Sequence, residues 1–206
     1  MPHRNRVTPR GEIVAVPERG TLMGNRGVIH ADDGSHKREW QVRRWIACRL
    51  EFKGRRRPVR RPRRWTELFF LDEATALAAG HRPCAECRNA DFRRWQRCWA
   101  AAHPEAAMSA GAIDRVLHQD RVEHRAKRTF RAPRGELPTG TMVELDGAPW
   151  LVTEAALRHW TPGGYTDSRA VAPDDALIVL TPASAVATIA AGYDPELHPT
   201  AVIRVA

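Results

Sequence analysis

The sequence predicts an α+β fold: short strands and helices over residues 1–104, a helical connector over 105–132, and a small β-rich unit over 133–206. Three observations carry this expectation. Ile46, Cys48, Leu50 and Phe52 alternate with Ala47, Arg49 and Glu51, the period of a half-buried strand. The stretch from Asp72 to Arg128 holds capping residues and apolar stripes at helical spacing. In the last third, Asp146-Gly147 stands between two apolar runs, the composition of a tight hairpin.

From the start of the chain, Glu12-Ile13-Val14-Ala15-Val16 reads as an edge strand, while Gly24-Asn25-Arg26-Gly27 and Ala31-Asp32-Asp33-Gly34-Ser35 read as turns. Trp40 to Phe52 has strand character, and Pro58 and Pro62 keep residues 54–64 a loop. Trp65 to Leu71 predicts a short strand, followed by a helix that Asp72 caps and Gly80 stops. A second helix spans Asn89 to Ala102, with Phe92, Trp95 and Trp99 on one stripe and Arg93, Arg94 and Arg97 off it. Ser109 caps a third, expected to run to about Arg128 and to bury Ile113, Val116 and Leu117. Pro133, Gly135 and Pro138 mark a boundary. Beyond it, Thr141–Leu145 and Trp150–Thr153 predict the hairpin, Leu177–Leu180 another strand, and Pro182–Ala191 a helix ended by Gly192. The Gly-rich run from Trp160 to Tyr165 is either a turn with core rings or the lining of a pocket. Leu77–Pro83 and Ile189–Pro195 echo one another, although alanine-rich helices ended by Gly also recur without duplication.

The net charge of +9 matters for where it lies. Between Arg43 and Arg64 eleven Lys or Arg face one acid, Glu51, so this segment carries +10 and the other 184 residues −1. A focused positive field attracts polyanions, which points to nucleic acid; a solvated basic loop is the alternative. No run of 18 apolar residues predicts a transmembrane helix, so no membrane partner is expected. The charged start, Met1-Pro2-His3-Arg4, lacks the apolar stretch of a secretory signal, and the cytoplasm is the expected compartment. There, four cysteines are expected as metal ligands or a redox pair rather than disulfides.

Cys84-Ala85-Glu86-Cys87 places two thiolates where a tight turn can bring both to one tetrahedral ion. The pair follows a helix-Gly-x-x-Pro turn, as metal knuckles do, whereas redox pairs open a helix directly after a core strand. A closed site needs two further ligands. The run Leu68-Phe69-Phe70-Leu71-Asp72-Glu73-Ala74-Thr75-Ala76-Leu77-Ala78-Ala79-Gly80-His81-Arg82-Pro83-Cys84-Ala85-Glu86-Cys87 resembles the Ada metal-binding domain family, in which an aromatic strand and a helix-knuckle supply the last two zinc ligands. Met23-Gly24-Asn25-Arg26-Gly27-Val28-Ile29-His30 is similar to the opening strand of Ada-like zinc modules, some attached to nucleases, whose His leads to a Cys.

The resemblance spans about residues 22–90 and implies one structural Zn²⁺ held by His30, Cys48, Cys84 and Cys87, in a DNA-repair or DNA-processing setting. Two departures stand out. The family's first two ligands lie a few residues apart, whereas 17 residues separate His30 from Cys48, a gap expected to hold an inserted hairpin from Asp32 to Trp45. The family's methyl-accepting Cys also falls at His30, an imidazole, so self-methylation is not expected unless Cys48 takes the exposed position. Taken by themselves, Cys48 suits a buried thiol equally well, His36 and His81 compete with His30, and Cys98, between Trp95 and Trp99, reads as packing.

The leading expectation is therefore a zinc-stabilised nucleic-acid-binding protein, DNA foremost, with Lys53, Arg55, Arg56, Arg57, Arg60, Arg61, Arg63 and Arg64 on phosphates. Three alternatives stand beside it. A metal-dependent nuclease would use His118, Asp120 and His124 on the third helix, where Asp114/His118 and Asp120/His124 are spaced i, i+4. The others are an alkyl-damage sensor and a protein-interaction module in the β-rich third. No Gly-rich phosphate loop, nucleophile elbow or dinucleotide fingerprint is present.

Overall fold

The structure is a computed structural model and describes residues 2–54 and 64–202. It is α+β, as expected. The first half forms strands β1 (Arg4–Val7), β2 (Ile13–Ala15), β3 (Leu22–Asn25), β4 (Ile46–Arg49) and β5 (Leu68–Phe70), helix α1 (Glu73–Ala78), strand β6 (Arg82–Pro83) and helix α2 (Asn89–Ala102). Helix α3 (Ala110–Arg121) leads into the small strands β7 (Val122–Glu123) and β8 (Ala126–Lys127). Then come β9 (Phe130–Pro133), β10 (Met142–Leu145), β11 (Ala148–Val152), β12 (Leu157–Thr161), β13 (Gly164–Arg169), β14 (Ala176–Val179) and helix α4 (Ala183–Ala190).

Two six-stranded sheets result, ordered β2-β1-β5-β3-β4-β6 and β13-β12-β11-β10-β14-β9. The second is antiparallel throughout. The first mixes directions, because β1 joins β5 and β4 joins β6 in parallel. No helix among the described residues is long and apolar enough to cross a membrane.

Helix α1 lies between the sheets, which explains its composition. All six of its residues are buried. Ala76 and Ala79 pack with Val7, Leu22 and Phe70 of the first sheet, Ala74 and Ala78 with Met142, Leu151 and Trp160 of the second, and Leu77 with Trp95 and Trp99 of α2. A helix buried on every side belongs in a core, and alanine lets three neighbours approach its backbone. The apolar clusters therefore cross the expected boundaries near 104 and 132.

Buried carboxylates fasten the two halves together. Asp72 caps α1 through Thr75 N (2.9 Å) and also accepts from Tyr165 Oη (2.8 Å) and His198 N (3.0 Å). Glu73 accepts from Tyr193 Oη (2.6 Å) and Glu196 N (3.0 Å) and pairs with Arg88 (2.9 Å). Gly80 ends the helix at φ 85°, and a Cβ there would lie 2.4 Å from Arg121 Cδ, so glycine is required twice over.

Several elements differ from expectation. Helix α3 stops at Arg121, seven residues early, because Val122 turns extended; His124 and Arg125 then adopt φ 45° and 68° and turn β7 back onto β8. Residues 32–45 form no hairpin; only a single bridge joins His30 to His36. Phe130–Pro133, expected as a boundary, is a strand paired with β14. The 160–165 run is a hairpin whose rings are buried, with Trp160 Nε1 donating to Thr75 Oγ1 (3.0 Å). Strand character over 40–52 shrinks to Ile46–Arg49, leaving Leu50 47% exposed.

Candidate metal centre

Three of the four expected ligands come together. Strand β4 lies between β3 and β6, with Cys48 opposite Met23 and Ala47 opposite Pro83. The backbone N–H of Cys84 donates to Ala47 O (2.9 Å), which sets Cys84 beside Cys48. A turn closed by Arg88 N to Cys84 O (3.1 Å), and steadied by Asn89 Nδ2 on Ala85 O (2.8 Å), then returns Cys87 to the same place. The three Sγ atoms all lie within 4.8 Å of one another. The period-two alternation does the sorting: Ala47 enters the sheet core, while Ile46 and Cys48 face the sulfur side with Met23 and Trp65.

Cys48 and Cys84 are buried and Cys87 half-buried. Hydrogen bonds from the Cys48 and Cys87 thiols draw the Cys84 thiol far below its usual range, whereas Cys48, donating and desolvated, is pushed up. Three sulfurs this close are a donor set for a soft or borderline cation, which would displace the thiol protons they share. The site opens into a pocket of about 310 Å³, lined by all three cysteines and by Arg44, Arg49 and Phe52.

Two arginines, in three ion pairs, brace the knuckle on either side. Arg82, two residues before Cys84, grips Asp114 of α3 through Nε (2.9 Å) and Nη2 (2.8 Å), with side chains only 2% and 7% exposed. Arg88, next after Cys87, joins Glu73 and Asp91, each at 2.9 Å. Arg82 also stacks on Phe92 at 4.8 Å. The turn therefore hangs from α1, α2 and α3 together.

His30 is not brought to the sulfurs. It is buried, its Nδ1 lies 2.6 Å from Thr66 Oγ1, and it bridges to His36. With no hairpin between them, residues 31–45 do not fold His30 back onto β4. Its competitor His81 is also elsewhere, against Phe70 and Trp45 with ring centroids 4.6 and 5.3 Å away. Among the described residues only Cys48, Cys84 and Cys87 form a group of three potential ligands, and residues 55–63, all Arg, Pro or Val, contain no other. Cys98 packs beside the Trp95–Trp99 cluster.

The alternative catalytic triad does not assemble. His118 meets Trp40 and Trp45 edge-on, at 5.7 and 6.1 Å, and burial beside Arg121 lowers its basicity. Asp120 accepts from Ser184 N (3.1 Å), and His124 sits exposed in the β7–β8 turn, off the helix that was to align it with Asp120. Asp114, committed to Arg82, is no partner for His118. Of the expected phosphate contacts, Lys53 and Arg64 are exposed, while Arg55, Arg56, Arg57, Arg60, Arg61 and Arg63 lie outside the described residues. No protein-family model, no characterised protein and no solved structure matches the chain.

Proposed function

We propose that Cys48, Cys84 and Cys87 bind one zinc ion and that this centre supports a basic surface for nucleic acid, DNA foremost. The observation that carries the metal is the convergence of three sulfurs within 4.8 Å from separate segments. Zinc suits an all-sulfur set in a reducing compartment, and Cys48, Cys84 and Cys87 would hold it with three protein ligands, one short of a closed site. The ion's role is to fasten β4 to the 84–87 knuckle. The likeness to Ada-like zinc modules supports the same reading.

Support for the nucleic-acid half is positional. The +10 segment runs through the strand that supplies Cys48, and its Arg43, Arg44, Arg49, Lys53 and Arg64 are all exposed. Phosphate contacts by several of these cations release counterions, so duplex affinity falls about 10³–10⁵-fold between 50 and 200 mM salt for six to ten contacts. Fluorescence anisotropy with a labelled duplex measures this, and Arg49→Glu lowers the log–log salt slope by about one or more. Affinity that is flat across that range excludes the basic surface as the contact.

A further inference from the structure

A second pocket, of about 330 Å³, shares no lining residue with the metal pocket. Three cations, Arg26, Arg121 and Lys127, meet in its wall. Both arginines are 2% exposed, and their guanidinium carbons lie 4.2 and 3.9 Å from the Trp45 ring centroid.

Every hydrogen-bond partner these cations have is uncharged. Arg26 donates to Gly11 O (3.0 Å) and His81 Nε2 (3.3 Å). Arg121 donates to Gly80 O (2.6 Å) and Arg43 O (2.5 Å) and lies 3.1 Å from His118 Nδ1, and Lys127 donates to Ala78 O (2.6 Å). The nearby acids are engaged elsewhere or at the rim: Asp114 with Arg82, Glu144 with Arg10 at 2.8 Å, and Glu12 and Glu39 exposed at the pocket edge.

Desolvation pushes Arg26 down to about 10 against the opposing pull of Glu39, and desolvation with repulsion from Arg26 and Arg121 pushes Lys127 to about 7. Arg26 Nη2 and Arg121 Nε are buried without an acceptor among the described residues. The carbonyl end of α1 offers only a fraction of one negative charge against two guanidinium groups and an ammonium. Buried charge is ordinarily paired, yet among the described residues no carboxylate hydrogen-bonds any of these three side chains, which leaves the pocket suited to an anion from outside the chain.

We propose that this pocket binds a phosphate monoester carrying a flat ring, a nucleotide in chemical class, with its phosphate on Arg26, Arg121 and Lys127 and its ring beside Trp40. Arginine forks suit phosphate oxygens, the half-buried Trp40 supplies an aromatic wall, and the volume fits a ligand of that size. The site is independent of the metal reading.

The test is thermal unfolding and tryptophan fluorescence of the full chain with AMP, inorganic phosphate and adenosine. AMP is expected to raise Tm by about 5–10 °C at a hundredfold excess over Kd. Phosphate gives a smaller rise, and adenosine none. Because Arg121 also fills space against Gly80, its loss confounds binding with folding, so the informative variant is Lys127→Met. This variant is expected to raise the ligand-free Tm by relieving repulsion while weakening AMP at least tenfold. Adenosine binding as tightly as AMP, no response to AMP and phosphate, or unchanged AMP affinity in Lys127→Met each overturns the proposal.

Discussion

Cys84→Ser is expected to abolish zinc retention and to lower Tm by about 6–20 °C, the equivalent of about 3–5 kcal/mol in a chain of this size. Cys84 is the sulfur on which the other two thiols converge, and a serine hydroxyl stays protonated where a thiolate is needed. Structural zinc in isolated peptides is worth on the order of 10 kcal/mol. The smaller figure applies here because α1 and its neighbours have apolar cores of their own, so the loss is confined to β4 and the 84–87 turn. Calorimetry with metal analysis on the same sample checks it. Cys98→Ser is the control, since Cys98 only packs at the edge of a cluster; its effect should stay within about 1 kcal/mol. Equal zinc content in Cys84→Ser and the parent places the metal elsewhere.

The second large effect concerns Asp114→Ala. Removing this carboxylate strands the Arg82 guanidinium, 2% exposed, with a single carbonyl, Pro83 O, in place of two charged bonds. Breaking a buried pair in this way costs about 3–5 kcal/mol, because the remaining charge stays desolvated. Arg82 precedes Cys84 by two residues, so the same change is expected to loosen zinc as well. The double variant Arg82→Met/Asp114→Leu should recover most of the stability, which separates the penalty of an orphaned charge from any intrinsic need for the pair. Guanidinium denaturation of the parent, both single variants and the double measures the cycle. A loss under about 1 kcal/mol in Asp114→Ala contradicts the burial described here.

What the sequence disclosed follows from how local each signal is. The Asp72 cap, the Gly80 stop, the Asn89–Ala102 helix and the Asp146-Gly147 hairpin are set by neighbouring residues, and the structure shows each of them. Cys84 and Cys87 are paired by spacing alone, and Cys48 joins them through the strand alternation that also buries Ile46. Residues 122–127 escaped because Val122 turns extended and two non-glycine residues with positive φ fold β7 onto β8, in a stretch whose polar, helix-compatible composition gives no stop signal. His30 was misplaced because its position depends on a long irregular segment that no periodicity describes. The cation pocket was illegible for a related reason: Arg26 is remote in sequence from Arg121 and Lys127, and only the packing of α1 and Trp45 brings it to them.

Native mass spectrometry of the purified full chain, before and after chelation, bears most directly on the three-sulfur centre. The expected result is one zinc per chain, removed by the chelator and absent from Cys48→Ser, Cys84→Ser and Cys87→Ser alike. A metal-free chain with three freely alkylated thiols, or zinc that persists in all three variants, contradicts the centre.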